Sequence, residues 1–191
     1  MNIIDEVKQV AGNALCLFDE ASVERALDEV AKKITQDLAV ENPLLLAVMN
    51  GGMIPLGKLL TRLNFPLQVD FCHATRYRNQ TTGSVLEWKV EPHTDLTGRT
   101  IVVVDDILDE GFTLSEVVSY CRRQGAKEVR SFVLVEKLHD RKTPSDFFAD
   151  YIGVRTEDFY LFGYGMDYKS YLRNAAGIYA VSATDLAEFN K

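Results

Sequence analysis

The chain has 191 residues, 47% of them hydrophobic, and is long enough to bury the core of one domain. Its formal net charge of −7 argues against nucleic acid or an anionic membrane surface as the main partner. A phosphorylated ligand would therefore have to be bound by local hydrogen-bond donors.

The N-terminal segment does not resemble a secretory signal, because Asp5 and Glu6 lie within its first ten residues, and no apolar run approaches membrane-spanning length. The three cysteines, Cys16, Cys72 and Cys121, lie in apolar surroundings and show no paired spacing. We therefore expect buried, reduced thiols in a cytoplasmic protein.

Residues 19–39 are predicted to form a helix that serves packing only. Ser22 is expected to cap it, and Asp19 and Glu20 suit the positive end of its dipole. One stripe of apolar residues at helical spacing supports this prediction, at Val23, Leu27, Val30, Ile34 and Leu38.

A buried strand is predicted at Leu44–Met49, followed by Asn50-Gly51-Gly52 and a second helix. Turns of this kind in a parallel sheet share one edge, where α/β proteins bind ligands. Taken alone, the two glycines are equally consistent with a plain turn and with a ligand-binding loop.

A third strand is predicted at residues 67–72, followed by a polar, cationic stretch at residues 73–84 and a returning strand at residues 85–90. The polar stretch is too long for a tight hairpin, so we expect a loop. It is either a lid that closes over the ligand edge and excludes water, or a flexible β-loop without that role.

The stretch Ile101–Ser115 organises the rest of the chain. Four β-branched residues at its start predict a strand, buried on both faces, that ends near Asp105. Helical spacing resumes after Thr113, whose hydroxyl can donate one hydrogen bond, so residues 109–112 are predicted to form a tight turn. A helix N-terminus binds phosphate through backbone N–H groups, and Gly111 allows the backbone to approach the anion.

Three acids, Asp105, Asp106 and Asp109, lie beside this anion site although carboxylates repel phosphate. Paired carboxylates at a strand end can accept hydrogen bonds from vicinal sugar hydroxyls and neighbour a magnesium ion carried by the substrate. One alternative is a capped helix with an acidic N-terminus. Another is the Asp-Asp-x-x-Asp pattern of isoprenoid synthases, which needs a helix, whereas here a β run precedes the acids and a glycine follows them.

Two later segments carry further candidates. A strand predicted at residues 129–135 brings Lys137 to the same edge, although lone lysines at strand ends are usually only solvated. An aromatic-rich segment at residues 158–168 then leads into Asp167 and Arg173. Aromatic clusters are ordinarily core, but the glycines within this one open backbone access for a flat base, a divalent metal and a pyrophosphate.

The run Asp-Asp-Ile-Leu-Asp-Glu-Gly-Phe-Thr at residues 105–113 resembles the phosphoribosyl-pyrophosphate motif of type I phosphoribosyltransferases. The resemblance implies an α/β fold with a central, mostly parallel sheet flanked by helices, a small hood built from the chain ends, and Mg²⁺ as cofactor. It implies a single domain over residues 1–191, with the core at about 40–150, the hood at about 1–20 and 151–191, and a mobile loop at about 73–90.

In that family the motif and the loops around it bind the phosphoribosyl pyrophosphate. The resemblance therefore implies substrate-binding roles for Asn50, Gly51, Arg76, Tyr77, Asp105, Asp106, Ile107, Leu108, Glu110, Gly111, Phe112 and Thr113. It also implies a strained or cis peptide at Met49-Asn50. Glu110 stands where the family usually has Thr or Ser, and Asn50 stands where many purine enzymes of the family have Lys. These two differences favour backbone N–H groups as the donors in both loops.

The later residues resemble the hypoxanthine-guanine branch of the family. The resemblance implies that Lys137 donates to the purine 6-oxo group, that Tyr160 stacks on the ring, and that the Leu161 carbonyl accepts from the guanine amine. It also implies that Asp167 holds a metal ion and that Arg173 meets the pyrophosphate. A fixed ammonium suits a 6-oxo acceptor but opposes a 6-amino donor, so adenine is expected to be a poor substrate.

The implied reaction transfers 5-phosphoribosyl from phosphoribosyl pyrophosphate to N9 of hypoxanthine or guanine, which gives IMP or GMP and pyrophosphate. Asp109 is the acid placed to reach the base, so we assign it the N7 proton as general base. The alternatives are the same fold acting on xanthine or another base, and a non-catalytic sensor of phosphoribosyl pyrophosphate, which would need a DNA-binding segment or a basic surface. The resemblance also suggests a homodimer or homotetramer.

Overall fold

The computed structural model of the protein describes residues 2–79, 83–142 and 147–189, without the side chains of residues 76–79, 83–85 and 189. The helices are α1 (Ile3–Asn13), α2 (Glu20–Leu38), α3 (Met53–Leu60), α4 (Phe112–Arg123) and α5 (Ala183–Phe189). The strands are β1 (Leu15–Asp19), β2 (Leu44–Val48), β3 (Gln68–Asn79), β4 (Gly83–Val90), β5 (Thr100–Leu108), β6 (Glu128–Lys137), β7 (Tyr151–Thr156), β8 (Leu161–Phe162) and β9 (Gly177–Ala180).

A six-stranded sheet in the order β4-β3-β2-β5-β6-β7 forms the core. Neighbouring strands are parallel except for β3 with β4. Side chains alternate across β2, so that Leu45 packs with α2 and α3 on one face while Leu46 packs with α4 on the other. Because helices cover both faces, β2 is buried throughout, and the predicted parallel sheet flanked by helices is confirmed.

A smaller antiparallel sheet in the order β1-β9-β8 joins the N-terminal segment to the last third of the chain. A separate apolar cluster includes residues of α1 and of the C-terminal part of the chain. Its buried members are Val7, Val10, Phe162, Tyr168 and Val181. This unit corresponds to the predicted hood. Residues 151–156, which the sequence analysis placed in the hood, instead form the edge strand β7 of the large sheet.

The polar stretch after residue 72 is strand rather than the predicted loop. β3 continues to Asn79 and pairs with β4 in antiparallel register from His73↔Val90 to Asn79↔Gly83. The prediction failed because it relied on apolar character, whereas a strand pair at the edge of a sheet is held by backbone hydrogen bonds and tolerates polar side chains. Residues 80–82 lie outside the described residues, and mobility of this segment stays a prediction.

β5 does not end near Asp105 but continues to Leu108. Its partner β6 extends equally far, and the two strands stay paired up to Leu108↔Glu136. The acids at positions 105 and 106 therefore lie within the strand, and only Asp109 belongs to the turn that follows.

Two smaller predictions were wrong. Asp19 rather than Ser22 caps α2, because the Asp19 carboxylate accepts a hydrogen bond from the Ser22 N–H at 2.9 Å. Cys16 is exposed, since it lies on β1 in the thin hood sheet, whereas Cys72 and Cys121 are buried as predicted; all three are free thiols. Burial raises the pKa of both buried thiols to about 12. Within the described ranges, no helix combines the length and the apolar character needed to cross a bilayer.

Candidate active site

The turn after β5 consists of Asp109, Glu110 and Gly111, and α4 begins directly behind it. Gly111 adopts a left-handed conformation with φ 89°, which glycine accommodates readily. The first hydrogen bond of the helix runs from the Ser115 N–H to the Gly111 carbonyl at 2.9 Å. The first turn of α4 thus offers backbone N–H groups and a positive dipole end at this edge of the sheet, as a phosphate site requires.

A cavity of about 430 Å³ opens at this turn. It joins the loop after β2, the turn after β5 and part of the hood, which lie far apart in the sequence. It is lined by Val48, Met49, Asn50, Gly51, Ala74, Asp105, Asp106, Ile107, Asp109, Glu110, Gly111, Phe112, Thr113, Leu114, Asp167 and Arg173. Most residues predicted to bind the phosphoribosyl group therefore share one cavity.

Among the predicted phosphoribosyl-binding residues whose side chains the structure describes, Leu108 does not contribute to this lining. Leu108 is fully buried in the core beneath α4, because alternate residues of a strand face opposite sides and Ile107 takes the cavity side. Arg76 and Tyr77 lie on β3, but their side chains fall outside the described part of the structure. Ala74 lines the cavity without having been predicted, since a small apolar residue gives no chemical signal in a sequence.

The loop after β2 runs directly beside the acids of β5. The peptide bond between Met49 and Asn50 is cis, as the resemblance implied. A Cβ atom on Gly51 would lie 2.3 Å from Asp106 Oδ2, a separation that no side chain tolerates. Glycine at this position therefore lets the loop backbone and the carboxylate share the wall of the cavity.

Asp105 and Asp106 are 9% and 8% exposed. Burial raises the pKa of the Asp105 carboxyl well above its usual value, and the charge of Asp106 raises it further. Burial also raises the pKa of Asp106, although its hydrogen bond with Asp105 and the charge of Arg173 oppose the rise. Burial therefore opposes ionisation of both carboxyl groups, and a pair of this kind is suited to bind ligand hydroxyls or to neighbour a cation.

Arg173 connects the hood to these acids. Its Nη2 lies 2.5 Å from Asp167 Oδ1, and its Nη1 lies 3.9 Å from Asp106 Oδ2. Nη1 also donates to the Gly165 carbonyl. The guanidinium is thus held at the cavity wall by groups from both parts of the fold, and Asp167 lies beside it.

A second cavity of about 200 Å³ adjoins the first. It is lined by Asp106, Ile107, Asp109, Lys137, Tyr160, Leu161, Met166 and Asp167. Tyr160 is 40% exposed, and its ring meets the Tyr168 ring edge-on, with 5.7 Å between centroids. A narrow pocket with an accessible aromatic ring and an ammonium group suits a flat base that carries a hydrogen-bond acceptor.

Lys137, the last residue of β6, is buried and paired with two carboxylates. Its Nζ lies 3.0 Å from Asp109 Oδ2 and 3.3 Å from Asp158 Oδ1. Arg141 extends the network, with Nη2 2.6 Å from Asp158 Oδ2. Asp158 and Arg141 were not predicted as site residues, because charged residues just outside predicted strands are ordinarily solvated.

His139 was also missed, although it lies only two residues after Lys137. Its Nε2 is 2.8 Å from Asp109 Oδ1. Asp109, His139 and Asp158 place potential metal-binding atoms within 4.8 Å of one another. Because the Lys137 ammonium already pairs with both carboxylates, we interpret this group as an ion-pair cluster and not as a metal site.

Comparison with known proteins agrees with this geometry. Residues 16–170 match the family model described as phosphoribosyl transferase domain. The hypoxanthine-guanine phosphoribosyltransferase of Bacillus subtilis (strain 168) is 31% identical over 83% of this chain and 87% of the relative. The hypoxanthine-guanine phosphoribosyltransferase of Aquifex aeolicus (strain VF5) is 29% identical over 92% of this chain and 99% of the relative. A crystal structure of a Staphylococcus aureus hypoxanthine phosphoribosyltransferase superposes with a TM-score of 0.85 at 20% identity, over 93% of this chain and 94% of that one, which supports the fold.

The family match spans both the turn after β5 and the aromatic segment that lines part of the second cavity. The two features that suggested the resemblance therefore lie inside the matched region, and the structure places them side by side. The chain belongs to the phosphoribosyltransferase family, in its hypoxanthine-guanine branch.

Proposed function

We propose that this chain transfers the 5-phosphoribosyl group of phosphoribosyl pyrophosphate to N9 of hypoxanthine or guanine, giving IMP or GMP and pyrophosphate. The observation that carries the proposal is that Asp109 lines both cavities. A bond between a sugar carbon and a base nitrogen forms only where the two substrates meet. Asp109 lies at that junction, between a pocket for the sugar phosphate and a pocket for the base.

The larger cavity supplies the groups that phosphoribosyl pyrophosphate needs. The first turn of α4 provides N–H donors for the 5′-phosphate, and the Thr113 hydroxyl can add one more. Asp105 and Asp106 accept hydrogen bonds from the 2′ and 3′ hydroxyls. The loop at Gly51 and the Arg173 guanidinium take the pyrophosphate, whose charge a planar, permanently charged donor matches well.

Magnesium fits the acidic side of this cavity. Mg²⁺ prefers oxygen ligands and is usually bound by one or two carboxylates together with substrate phosphates. Asp167 presents a carboxylate to both cavities, and the carboxyl groups of Asp105 and Asp106 line the same larger cavity. Asp167 would hold the ion with oxygens of the substrate, where Mg²⁺ would neutralise charge on the pyrophosphate.

The smaller cavity selects the base. The buried Lys137 ammonium offers donors to the 6-oxo group of hypoxanthine or guanine, and Tyr160 offers its ring for stacking. Leu161 lines the same cavity, and in this proposal its backbone carbonyl accepts from the exocyclic amine of guanine. A 6-amino group would bring one donor against another in a buried site, so adenine is rejected.

Asp109 acts as the general base. Positive charge develops on the ribose as the bond from C1 to pyrophosphate breaks, and the buried carboxylates nearby stabilise it. When N9 attacks C1, the proton on N7 becomes acidic, and the Asp109 carboxylate accepts it. Asp109 is held next to Lys137, the residue that binds the adjacent 6-oxo group, so one base edge meets both side chains.

An assay with a panel of bases tests this proposal. The purified chain is incubated with MgCl₂, phosphoribosyl pyrophosphate and hypoxanthine, guanine, xanthine, adenine or uracil, and nucleotides are separated by chromatography. We expect IMP and GMP, with adenine slower by at least about a hundredfold. Preferential formation of another nucleotide would reassign the base, and binding of phosphoribosyl pyrophosphate without any product would favour a non-catalytic sensor.

Asp109→Asn tests the general base separately. The amide keeps the size of the side chain but cannot accept the N7 proton, so kcat should fall by about a hundredfold while phosphoribosyl pyrophosphate still binds. Near-normal turnover by the variant would remove Asp109 from this role. Assembly as a homodimer or homotetramer and a cytoplasmic location stay predictions; light scattering after size exclusion would test the first.

A further inference from the structure

His139 makes a partly buried contact with the residue that we assign as general base. It follows the end of β6 by two residues, and its side chain is 6% exposed. Its Nε2 lies 2.8 Å from Asp109 Oδ1. The mechanism described above makes no use of this contact.

The other ring nitrogen fixes the tautomer of His139. The backbone N–H of Arg141 donates to His139 Nδ1 at 3.1 Å, so Nδ1 is an acceptor and carries no proton. The proton of the neutral imidazole therefore lies on Nε2. His139 donates a hydrogen bond from Nε2 to the Asp109 carboxylate.

The two oxygens of Asp109 consequently have different partners. Oδ2 accepts from Lys137 at 3.0 Å, and Oδ1 accepts from His139. When a 6-oxopurine enters, Lys137 turns its donors to the 6-oxo group, and Oδ2 becomes available to the neighbouring N7 proton. Neither of these steps uses Oδ1.

We propose that His139 is a positioning residue for the general base, an inference that rests on the proposed transferase function. Asp109 lies on a three-residue turn, and its side chain is 43% exposed, so it needs an anchor to hold one rotamer. Arg141 and Lys137 are cations close enough to pull the carboxylate aside, at 3.9 Å and 3.0 Å. A neutral donor holds Oδ1 without bringing a third positive charge to the carboxylate.

Two substitutions of His139 separate the roles of its two ring nitrogens. In His139→Gln, the amide nitrogen can occupy the place of Nε2 and donate to Asp109. In His139→Asn, the shorter amide can accept from the Arg141 N–H in place of Nδ1, but it does not reach Asp109. The first variant keeps the contact with the base, and the second keeps only the local fold of the loop.

Steady-state kinetics with hypoxanthine tests the proposal. We expect His139→Asn to lower kcat about tenfold, the usual effect of losing a hydrogen bond to a charged group, with an unchanged KM for phosphoribosyl pyrophosphate. His139→Gln should stay within about threefold of the natural chain. In an Asp109→Asn background, His139→Asn should cause no further loss, because a positioning residue acts only through its partner.

The outcomes separate this inference from the proposed function. Equal turnover by the natural chain and His139→Asn would overturn the positioning role, as would an equal loss in His139→Gln and His139→Asn or an additive loss in the Asp109→Asn background. If the natural chain forms no nucleotide from any base, the proposed function itself fails. Thermal unfolding midpoints of the variants show whether the loop has kept its fold.

Discussion

Asp106 donates its backbone N–H to Asp105 Oδ1 at 2.9 Å, which fixes one of two neighbouring buried carboxyl groups of β5 against the backbone. Such a pair is costly for the folded protein, because burial and mutual repulsion both oppose ionisation. In the proposed function, the ability to bind ligand hydroxyls offsets this cost in stability.

Asp105→Asn should stabilise the protein and impair its activity. The amide oxygen can still accept from the Asp106 N–H, while the buried charge is removed. The folded pKa of Asp105 is raised, so the natural chain loses stability as pH rises above the unfolded value of about 4, and the variant does not. We expect the free energy of unfolding of the variant to exceed that of the natural chain by about 1–2 kcal/mol at pH 7.5, and by little at pH 4.

Urea denaturation at the two pH values measures this difference. Glu29→Gln, which removes an exposed carboxylate of α2, is the matched control and should leave stability nearly unchanged. The kcat/KM of Asp105→Asn for phosphoribosyl pyrophosphate should fall about tenfold or more. A variant less stable than the natural chain at pH 7.5 would contradict the account of the pair.

Lys137→Gln should weaken selection of the base. The variant loses the ammonium that we propose donates to the 6-oxo group, so kcat/KM for hypoxanthine should fall by about 10- to 100-fold, with little change in KM for phosphoribosyl pyrophosphate. The glutamine carbonyl can accept from a 6-amino group, so the preference for hypoxanthine over adenine should shrink. Lys127→Gln, at an exposed ion pair with Glu41, serves as the control. An unchanged preference would show that another group selects the base.

Gly51→Ala should disrupt the larger cavity, which we propose binds phosphoribosyl pyrophosphate. The added methyl group would lie 2.3 Å from Asp106 Oδ2, so the loop or the carboxylate must move. We expect kcat/KM for phosphoribosyl pyrophosphate to fall by about tenfold or more, since small displacements in a preorganised site are costly. Gly57→Ala in α3 is the control, because a Cβ there meets nothing within 4 Å. Full activity of Gly51→Ala would mean that the loop can shift without cost.

Glu24→Gln should make the protein less stable at neutral pH. Burial opposes ionisation of Glu24, but hydrogen bonds from Lys58, Tyr164 and Arg62 outweigh it and lower the pKa to about 2. A lowered folded pKa contributes stability above the unfolded value of 4.5 and loses it as pH falls towards 2. We expect a loss of about 2 kcal/mol at pH 7 after allowing for partial exposure, measured by urea denaturation.

The difference in free energy of unfolding between Glu24→Gln and the natural chain should shrink steadily as the pH falls from 4.5 to 2. This network joins α2, α3 and the hood, so the same variant should also loosen the packing of Tyr164. A difference that stays constant over this pH range would show that the substitution acts through packing and not through the charge.

Some parts of the fold and site follow from local sequence alone. The β-branched run before Asp105, the glycine turn and the helical spacing after Thr113 each depend on residues close together in the chain, and the structure contains all three. The same holds for the apolar stripe of α2, whose predicted residues are all buried. Parallel strands then bring their ends to one edge, so the shared cavity was predictable from the order of the elements.

Other features depended on partners that no short stretch specifies. β3 extends to Asn79 because β4 pairs with it, and Cys16 is exposed because the hood sheet is thin. The contact between His139 and Asp109 spans thirty positions and carries no motif. The sequence by itself determined which backbone conformations and which chemical groups were present, since these follow from local sterics and composition. Only the tertiary structure decided which side chains met, because hydrogen bonds and ion pairs form through space once the sheet has brought distant residues within a few ångströms.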